Sequence, residues 1–468
     1  MSTVMWSLSR IKYKVSADKQ RDFLSQALQH LPQYTGQGLS MLLYALGATE
    51  QDPGPEWTSS LMAFLQTSPG LNRFNSQGLA LVLWALARMG YEPTPRFTSM
   101  VHTHLMRAGP SWPSTDSLPP RIAACNGIDV ATIMYGMGRM HMHVTPNLLT
   151  ALLIKLKHEV PGLDPAQMSN VVWALAQFQV KNPLLRVHPS FLAQFFSMAY
   201  LRLDRFTHHD LAMTSWALAK MRVQPPAPFL SAFLRRVEQA GAEFSPQEVS
   251  NTIWSLARFG VAPSSGLMVE FFVATDKRLS SFKPQELSAM AWALARGGHK
   301  PDRRWSEEFL HATFHKLPEF SQQGLCNMIW ALPMMGMAPT PAWLYQYVKV
   351  ATPHMDTMNK ADMVQLVVGL TALSAQHDGG LQKVLDLVEE GYRQLEGRLG
   401  ASAAQLARLR EHGGVAEAEE AAQQGPEQAP DGTRLGSSSS AGLVGALAND
   451  GSSSRQQQAR SLHKAIQQ

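Results

Sequence analysis

The chain has 468 residues, 45% hydrophobic and 16% charged, with 41 Lys+Arg against 36 Asp+Glu. That length exceeds the ~100–200 residues of one ordinary domain, and a charged fraction below the usual ~25% asks for many buried helix faces. No run of 18 apolar residues free of charge occurs, which excludes a membrane-spanning helix. Cys125 and Cys326 stand too far apart for a disulfide framework or a zinc site, so a reduced compartment is expected. Residues 375–468 hold 9 Lys+Arg against 12 Asp+Glu, leaving 32 against 24 in residues 1–374. A basic body of this kind leans toward a polyanionic partner.

The first predicted element is a helix around Trp6. Met1 to Lys14 is basic, as at the start of a transit peptide, but Met5-Trp6-Ser7-Leu8 stands one repeat length ahead of Tyr44, in register with everything that follows. It is read as an orphan helix of a partial repeat (1–15), in a chain that begins mid-repeat, with any targeting information outside the sequence. Further copies come at 74–90 (FNSQGLALVLWALARMG), 163–179 (LDPAQMSNVVWALAQFQ) and 206–222 (FTHHDLAMTSWALAKMR). The most alike are 244–260 (FSPQEVSNTIWSLARFG), 282–298 (FKPQELSAMAWALARGG) and 320–336 (FSQQGLCNMIWALPMMG). Their aromatic anchors are Trp6, Tyr44, Trp84, Tyr135, Trp173, Trp216, Trp254, Trp292 and Trp330, with Val368 as a degenerate tenth. The step between anchors is constant at about 38 residues from Trp216 to Val368 and widest from Trp84 to Tyr135. A fixed period of this length signals a stacked array.

Each copy carries helix punctuation. In 244–260, Ser245 is the N-cap, Pro246 N1 and Glu248 N3 of a capping box, with Phe244 and Val249 as hydrophobic staple. Gly90, Gly260, Gly298 and Gly336 are the left-handed stops. Within this helix, B, one apolar face is Val249, Ile253 and Leu256; a second alternates small and large, as Ser250-Trp254-Ala257. A second helix, A, begins after a Pro-containing link and carries an aromatic at a fixed distance past the anchor. Trp57 so follows Tyr44, Phe97 follows Trp84, Phe229 follows Trp216, Trp305 follows Trp292 and Trp343 follows Trp330. One hairpin cannot bury both faces, so the copies must stack. The fold class expected is all-α, a right-handed α-solenoid of ~38-residue helical hairpins. Nine hairpins span 16–374, with inserts near 107–122 and 181–188; the first contains Gly109-Pro110-Ser111-Trp112-Pro113-Ser114, expected to protrude. Residues 375–411 read as capping helices, and 412–468 as a disordered, Ser-rich low-complexity tail.

The helical pair, the Pro-Gly-Pro-Glu-Trp opening of helix A (53–57) and the PQELSAMAWALA type of helix B resemble the octotricopeptide repeat family over about 1–374, and in style the FAST-kinase-like repeats. The resemblance implies an α-solenoid that binds single-stranded organelle RNA in a sequence-dependent way. It would act in the chloroplast, or alternatively the mitochondrion, on transcript stability, processing or translation, alone or with other RNA-processing or translation factors. Nothing after the repeats resembles a RAP domain. Pro333 inside helix B and the missing anchor at Val368 depart from the pattern, and these copies are expected to stack poorly or read no base.

A modular reader needs positions that vary on a constant scaffold. The residue before the helix A aromatic and the residue four further on do so. The base-reading candidates there are Glu56, Ser60, Arg96, Asn147, Ser190, Gln194, Arg304, Glu308 and Gln346; the alternative is that they are solvated helix starts under no constraint. A constant basic residue follows the anchor by four: Arg10, Arg88, Arg139, Lys220, Arg258 and Arg296, candidates for phosphate contact. Gln247, Asn251 and Arg258 fall nearly on one line of helix B. The alternative for the basic residues is a helix C-terminal cation favoured by the macrodipole. No Gly-rich phosphate loop, HExxH or metal-spaced Cys pair occurs, so no enzyme, cofactor, metal site or small-molecule substrate is expected. His208 and His209 are a close pair, with His209 expected as a surface substitution. A protein-interaction scaffold of the same fold is the alternative function, and an RNA enzyme lacking its catalytic half a third.

Overall fold

The computed structural model describes residues 2–374 apart from 12, 14, 68, 108–117 and 241–242. The expected capping helices, the tail and the protruding loop at 109–114 lie outside the described residues. Those described form helices and no strands. They fall into two compact units, one holding the described residues to Phe206 with Lys220–Ala232, the other Thr207–Ala219 and those from Phe233 onward.

In the first unit, B helix α1 (Ser2–Arg10) is followed by α2 (Ala17–Gln29), α3 (Gly36–Ala48), α4 (Pro55–Leu65), α5 (Ser76–Arg88) and α6 (Pro95–Leu105). The one-turn α7 (Pro120–Ala123) precedes α8 (Gly127–Arg139), α9 (Pro146–Glu159), α10 (Pro165–Lys181) and α11 (Pro189–Leu201). Next in the chain, α12 (His208–Lys220) and α13 (Ala227–Ala240) are divided between the units. The second unit continues with α14 (Pro246–Arg258), α15 (Ser265–Thr275), α16 (Pro284–Arg296), α17 (Arg303–Lys316), α18 (Gln322–Met334), α19 (Pro341–Ala351) and α20 (Lys360–Ser374). B helices α1, α3, α5, α8 and α10 pack each on the next in the first unit, and α14, α16, α18 and α20 in the second. Packing on the next repeat is the arrangement of an α-solenoid.

The caps explain why helices start and stop where they do. The Ser245 hydroxyl accepts from the Glu248 N–H while the Glu248 carboxylate accepts from the Ser245 N–H, the reciprocal box expected from sequence. Asn126/Asp129 and Asp164/Gln167 do the same. Gly90, Gly260, Gly298 and Gly336 adopt φ of 71°, 68°, 68° and 71°. At the equivalent stops Glu50, His141 and Arg222 take the same left-handed conformation with φ of 52°, 51° and 56°, where a side chain is strained. The next residue closes the turn, as Val261 N–H to Leu256 O at 3.0 Å and Met142 N–H to Met137 O at 2.9 Å.

Small residues let the B helices approach closely. A Cβ on Gly136 of α8 would lie 2.8 Å from the Leu83 carbonyl carbon of α5. One on Gly369 of α20 would lie 2.3 Å from the Ile329 carbonyl oxygen of α18. Pro333 lacks the N–H that would have bonded that Ile329 carbonyl four residues back, and Gly369 is seated against it. The copies with Pro333 and Val368 therefore stack, contrary to expectation: the glycine replaces bulk with backbone contact, and Val368 itself is buried.

The A row is bolted by large side chains. Trp305 Nε1 donates to Thr275 Oγ1 at 2.9 Å, Trp343 Nε1 to Thr313 Oγ1 at 3.2 Å and Trp57 Nε1 to the Leu24 carbonyl at 3.1 Å. Each reaches from the first turn of one A helix to the A helix before it.

Candidate nucleic-acid interface

The residues chosen for variability lie on the A row. Glu56, Ser60, Arg96, Asn147, Arg304 and Glu308 are exposed, whereas Ser190, Gln194 and Gln346 are half-buried. They stand beside the aromatic bolts, so several have local partners. Arg304 makes two hydrogen bonds to Asp276, at 2.8 and 3.2 Å, and the Ser190 hydroxyl lies 2.8 Å from His188 Nδ1. Arg304 is thus turned toward Asp276 rather than Glu308, and its neighbour Arg303 bonds Glu307 at 2.7 Å.

The basic line occupies the last turn of the B helices. Arg10 is exposed; Arg88, Arg139, Lys220, Arg258 and Arg296 are half-buried. Four of the guanidiniums lie over the anchor ring of their own helix: Arg10 over Trp6 at 5.8 Å, Arg88 over Trp84 at 5.9 Å, Arg258 over Trp254 at 5.8 Å and Arg296 over Trp292 at 5.6 Å. A cation held over a ring keeps its N–H edge in a fixed plane, the geometry in which arginine binds phosphate. Arg88 also reaches back to Glu50, at 2.6 Å. Burial pushes the Tyr135 phenol up, against a smaller downward pull from the charges of Arg139 and Arg88.

A broader feature emerges from burial. In α14 every residue is buried except Pro246, Gln247, Asn251 and Arg258. In α5 the unburied residues after the first are Gln77, Leu81, Trp84 and Arg88, and in α8 they are Ile128, Thr132 and Arg139. Counted from the anchor, these are positions −7, −3, 0 and +4, which share an arc of about 60° on a helix. These three B helices each have one open line, whereas in α16 and α18 the line is open at −7 (Gln285, Gln323) and buried at −3 and 0. The sequence contained its signal, since Gln247, Asn251 and Arg258 align, but periodicity alone does not say which arc faces water.

Several polar atoms shut off from solvent fall at the same registers, while others, such as the hydroxyls of Thr214 and Thr252, lie off the line. Trp254, Trp292 and Trp330 each carry an indole N–H with no hydrogen-bond partner among the described residues. So do Asn170 Oδ1 (−3), Gln177 Nε2 (+4), His209 Nε2 (−7) and both amide atoms of Gln365 (−3). Each such group costs about 1–3 kcal/mol. The A-row tryptophans Trp57, Trp305 and Trp343, by contrast, have acceptors.

His208 and His209 are half-buried rather than a surface substitution. Their Nδ1 atoms lie 2.9 and 3.1 Å from the two oxygens of Glu248 in the next B helix. They take this place because the first turn of α12 faces the buried capping-box carboxylate of α14. Burial alone would raise the Glu248 carboxyl; His209, the Ser245 N–H and the nearby His208 together bring it down to about 2. Among the described residues no group of three or more His, Cys, Asp or Glu could hold a metal ion, and no helix is long and apolar enough to cross a membrane.

Comparison with curated proteins yields no match. Residues 228–390, which include α14 to α20, match the family model described as Tbc2 translation factor, N-terminal domain. The stretch most regular in spacing, where the anchors step evenly from Trp254 through Trp292 and Trp330 to Val368, is thus similar to a domain of a translation factor.

Proposed function

We propose that this chain binds single-stranded RNA in a sequence-dependent way and serves organelle gene expression at the level of translation, in the manner of octotricopeptide repeat proteins. The observation that carries the reading is the coincidence of two features in one stretch: the resemblance to a translation factor domain and two successive arginines, Arg258 and Arg296, stacked on their anchor rings. Such a pair neutralises phosphates whatever the base. The chain works by holding a strand, which excludes nucleases or opens a hairpin near a start codon, with no chemistry or cofactor of its own. The chloroplast is the compartment proposed first, the mitochondrion second, with other RNA-processing or translation factors as partners.

A protein-binding scaffold is favoured by one observation. At α3 and α5 the open line shows Met41, Tyr44, Leu81 and Trp84, all half-buried and none charged, a surface that suits an apolar partner segment.

Salt dependence separates the two. Binding of a labelled random single strand to the whole chain, followed from ~50 to ~200 mM salt, should weaken steeply. Replacing Arg258 and Arg296 with Gln should reduce the log–log slope by about 0.7 per lost contact. No binding at the lowest salt would overturn the RNA reading.

A further inference from the structure

We propose that bases are read on the open line of the B helices, by the residues seven and three before each anchor, and not at the starts of the A helices. This rests on the RNA-binding reading and assigns its specificity.

Three observations converge. In α5, α8 and α14 the line is the arc of the B helix that meets solvent, so a strand laid along the basic +4 residues passes directly over positions −3 and −7. In α16 and α18 it is −7 (Gln285, Gln323) that stays open, while −3 (Ala289, Asn327) is buried. The chemistry of the line suits base edges. In α14, α16 and α18 the −7/−3 pairs are Gln247/Asn251, Gln285/Ala289 and Gln323/Asn327, and an amide offers a donor and an acceptor side by side, as a Watson–Crick edge requires. Gln323 Nε2 donates to Asn327 Oδ1 at 3.1 Å, which fixes one such pair in orientation. Third, Asn170 Oδ1 and His209 Nε2, unpartnered atoms of half-buried side chains at −3 and −7, lie on this arc where a bound ligand could reach them, while the A-row indoles need nothing further.

The line also varies as a reader must. The −3 residue is Met41, Leu81, Thr132, Asn170, Met213, Asn251, Ala289, Asn327 and Gln365 in successive copies. The flanking small-large-small face stays nearly constant, because it packs against the next helix. Position −3 therefore discriminates where it is open, as at Asn251, −7 reads beside it or in its place, and +4 holds the phosphate where it is basic.

The test is selection of random single-stranded RNA by the full chain, then by Asn251→Ala, by Gln247→Ala and by the double variant Arg304→Ala/Glu308→Ala. The reading expects an enriched motif with wild type. Asn251→Ala should cut base preference at one motif position by about 10-fold or more and leave the others in place. Gln247→Ala, at a half-buried helix-start position where folding is least at risk, should act on the same motif position more weakly. The A-helix double variant should keep the wild-type motif. A motif changed by the A-helix variant and untouched by both B-helix variants overturns the assignment while RNA binding stands. Absence of RNA binding by wild type overturns the RNA reading and this assignment with it.

Discussion

The open line is built alike in two regions of the molecule and furnished differently. In α1, α3 and α5 the anchors reach solvent: Trp6 is 37% exposed, and Tyr44 and Trp84 are half-buried with their rings stacked at 5.1 Å. In α14, α16 and α18 the anchors have withdrawn to 1–3% exposure, and amide side chains occupy much of the line above them. The early line offers rings, on which bases or apolar side chains stack; the later one offers hydrogen bonds. The difference teaches that cap chemistry and small-residue packing carry the scaffold, while the line differs in how far it opens: along α5 from Gln77 to Arg88, but in α16 and α18 chiefly at −7, with the anchor and position −3 buried.

The largest expected effect tests the anchors. Trp292→Ala leaves a cavity in a closed core and should cost about 3–5 kcal/mol, whereas Trp84→Ala, half open already, should cost about 1–2 kcal/mol. Urea denaturation measures both, and equal losses would break the comparison. Gly369→Ala drives a methyl into the Ile329 carbonyl and should cost about 2–3 kcal/mol by the same measurement.

Acid should reach the two regions in different windows. Burial, with Arg121 and Arg107 nearby, holds His104 of α6 down at about 4, so the unfolded chain takes its proton first. Stability from this group is lost as pH falls from about 6.5 through 4. Glu248 has the opposite charge type but is also depressed, to about 2; its contribution is present above about 4.5 and lost as pH falls through 2. Glu248→Gln should flatten the lower window alone, at a cost of about 2 kcal/mol at neutral pH. The smallest effect is a gain: His141→Gly relieves a left-handed side chain and should add about 0.5–1 kcal/mol, read as a raised Tm.

The repeat, its helix boundaries and its caps were legible because they are local. Ser245-Pro246-Gln247-Glu248 dictates a helix start wherever it stands, and an unvarying period asks for stacking. The stops at Glu50, His141 and Arg222 were not, since the residue type disfavours the left-handed conformation that the closing hydrogen bond of the helix end, such as Met142 N–H to Met137 O, requires there. The stacking of α20 was likewise hidden, because Gly369 compensates for Pro333 through a contact with the helix one repeat earlier. The basic line was read from spacing, but its stacking on the anchors depends on rotamers. Variability marks the A-helix starts, but any exposed position shows it. Only burial distinguishes a line open on a packed helix from a face that is merely wet.

The most direct measurement of the central claim is photo-crosslinking of 4-thiouridine-bearing single-stranded RNA to the full chain, with the attachment sites mapped by mass spectrometry of peptides. The account predicts crosslinks within 247–258, 285–296 and 323–334, on the B helices. Crosslinks confined to 304–308 and the other A-helix starts would contradict it.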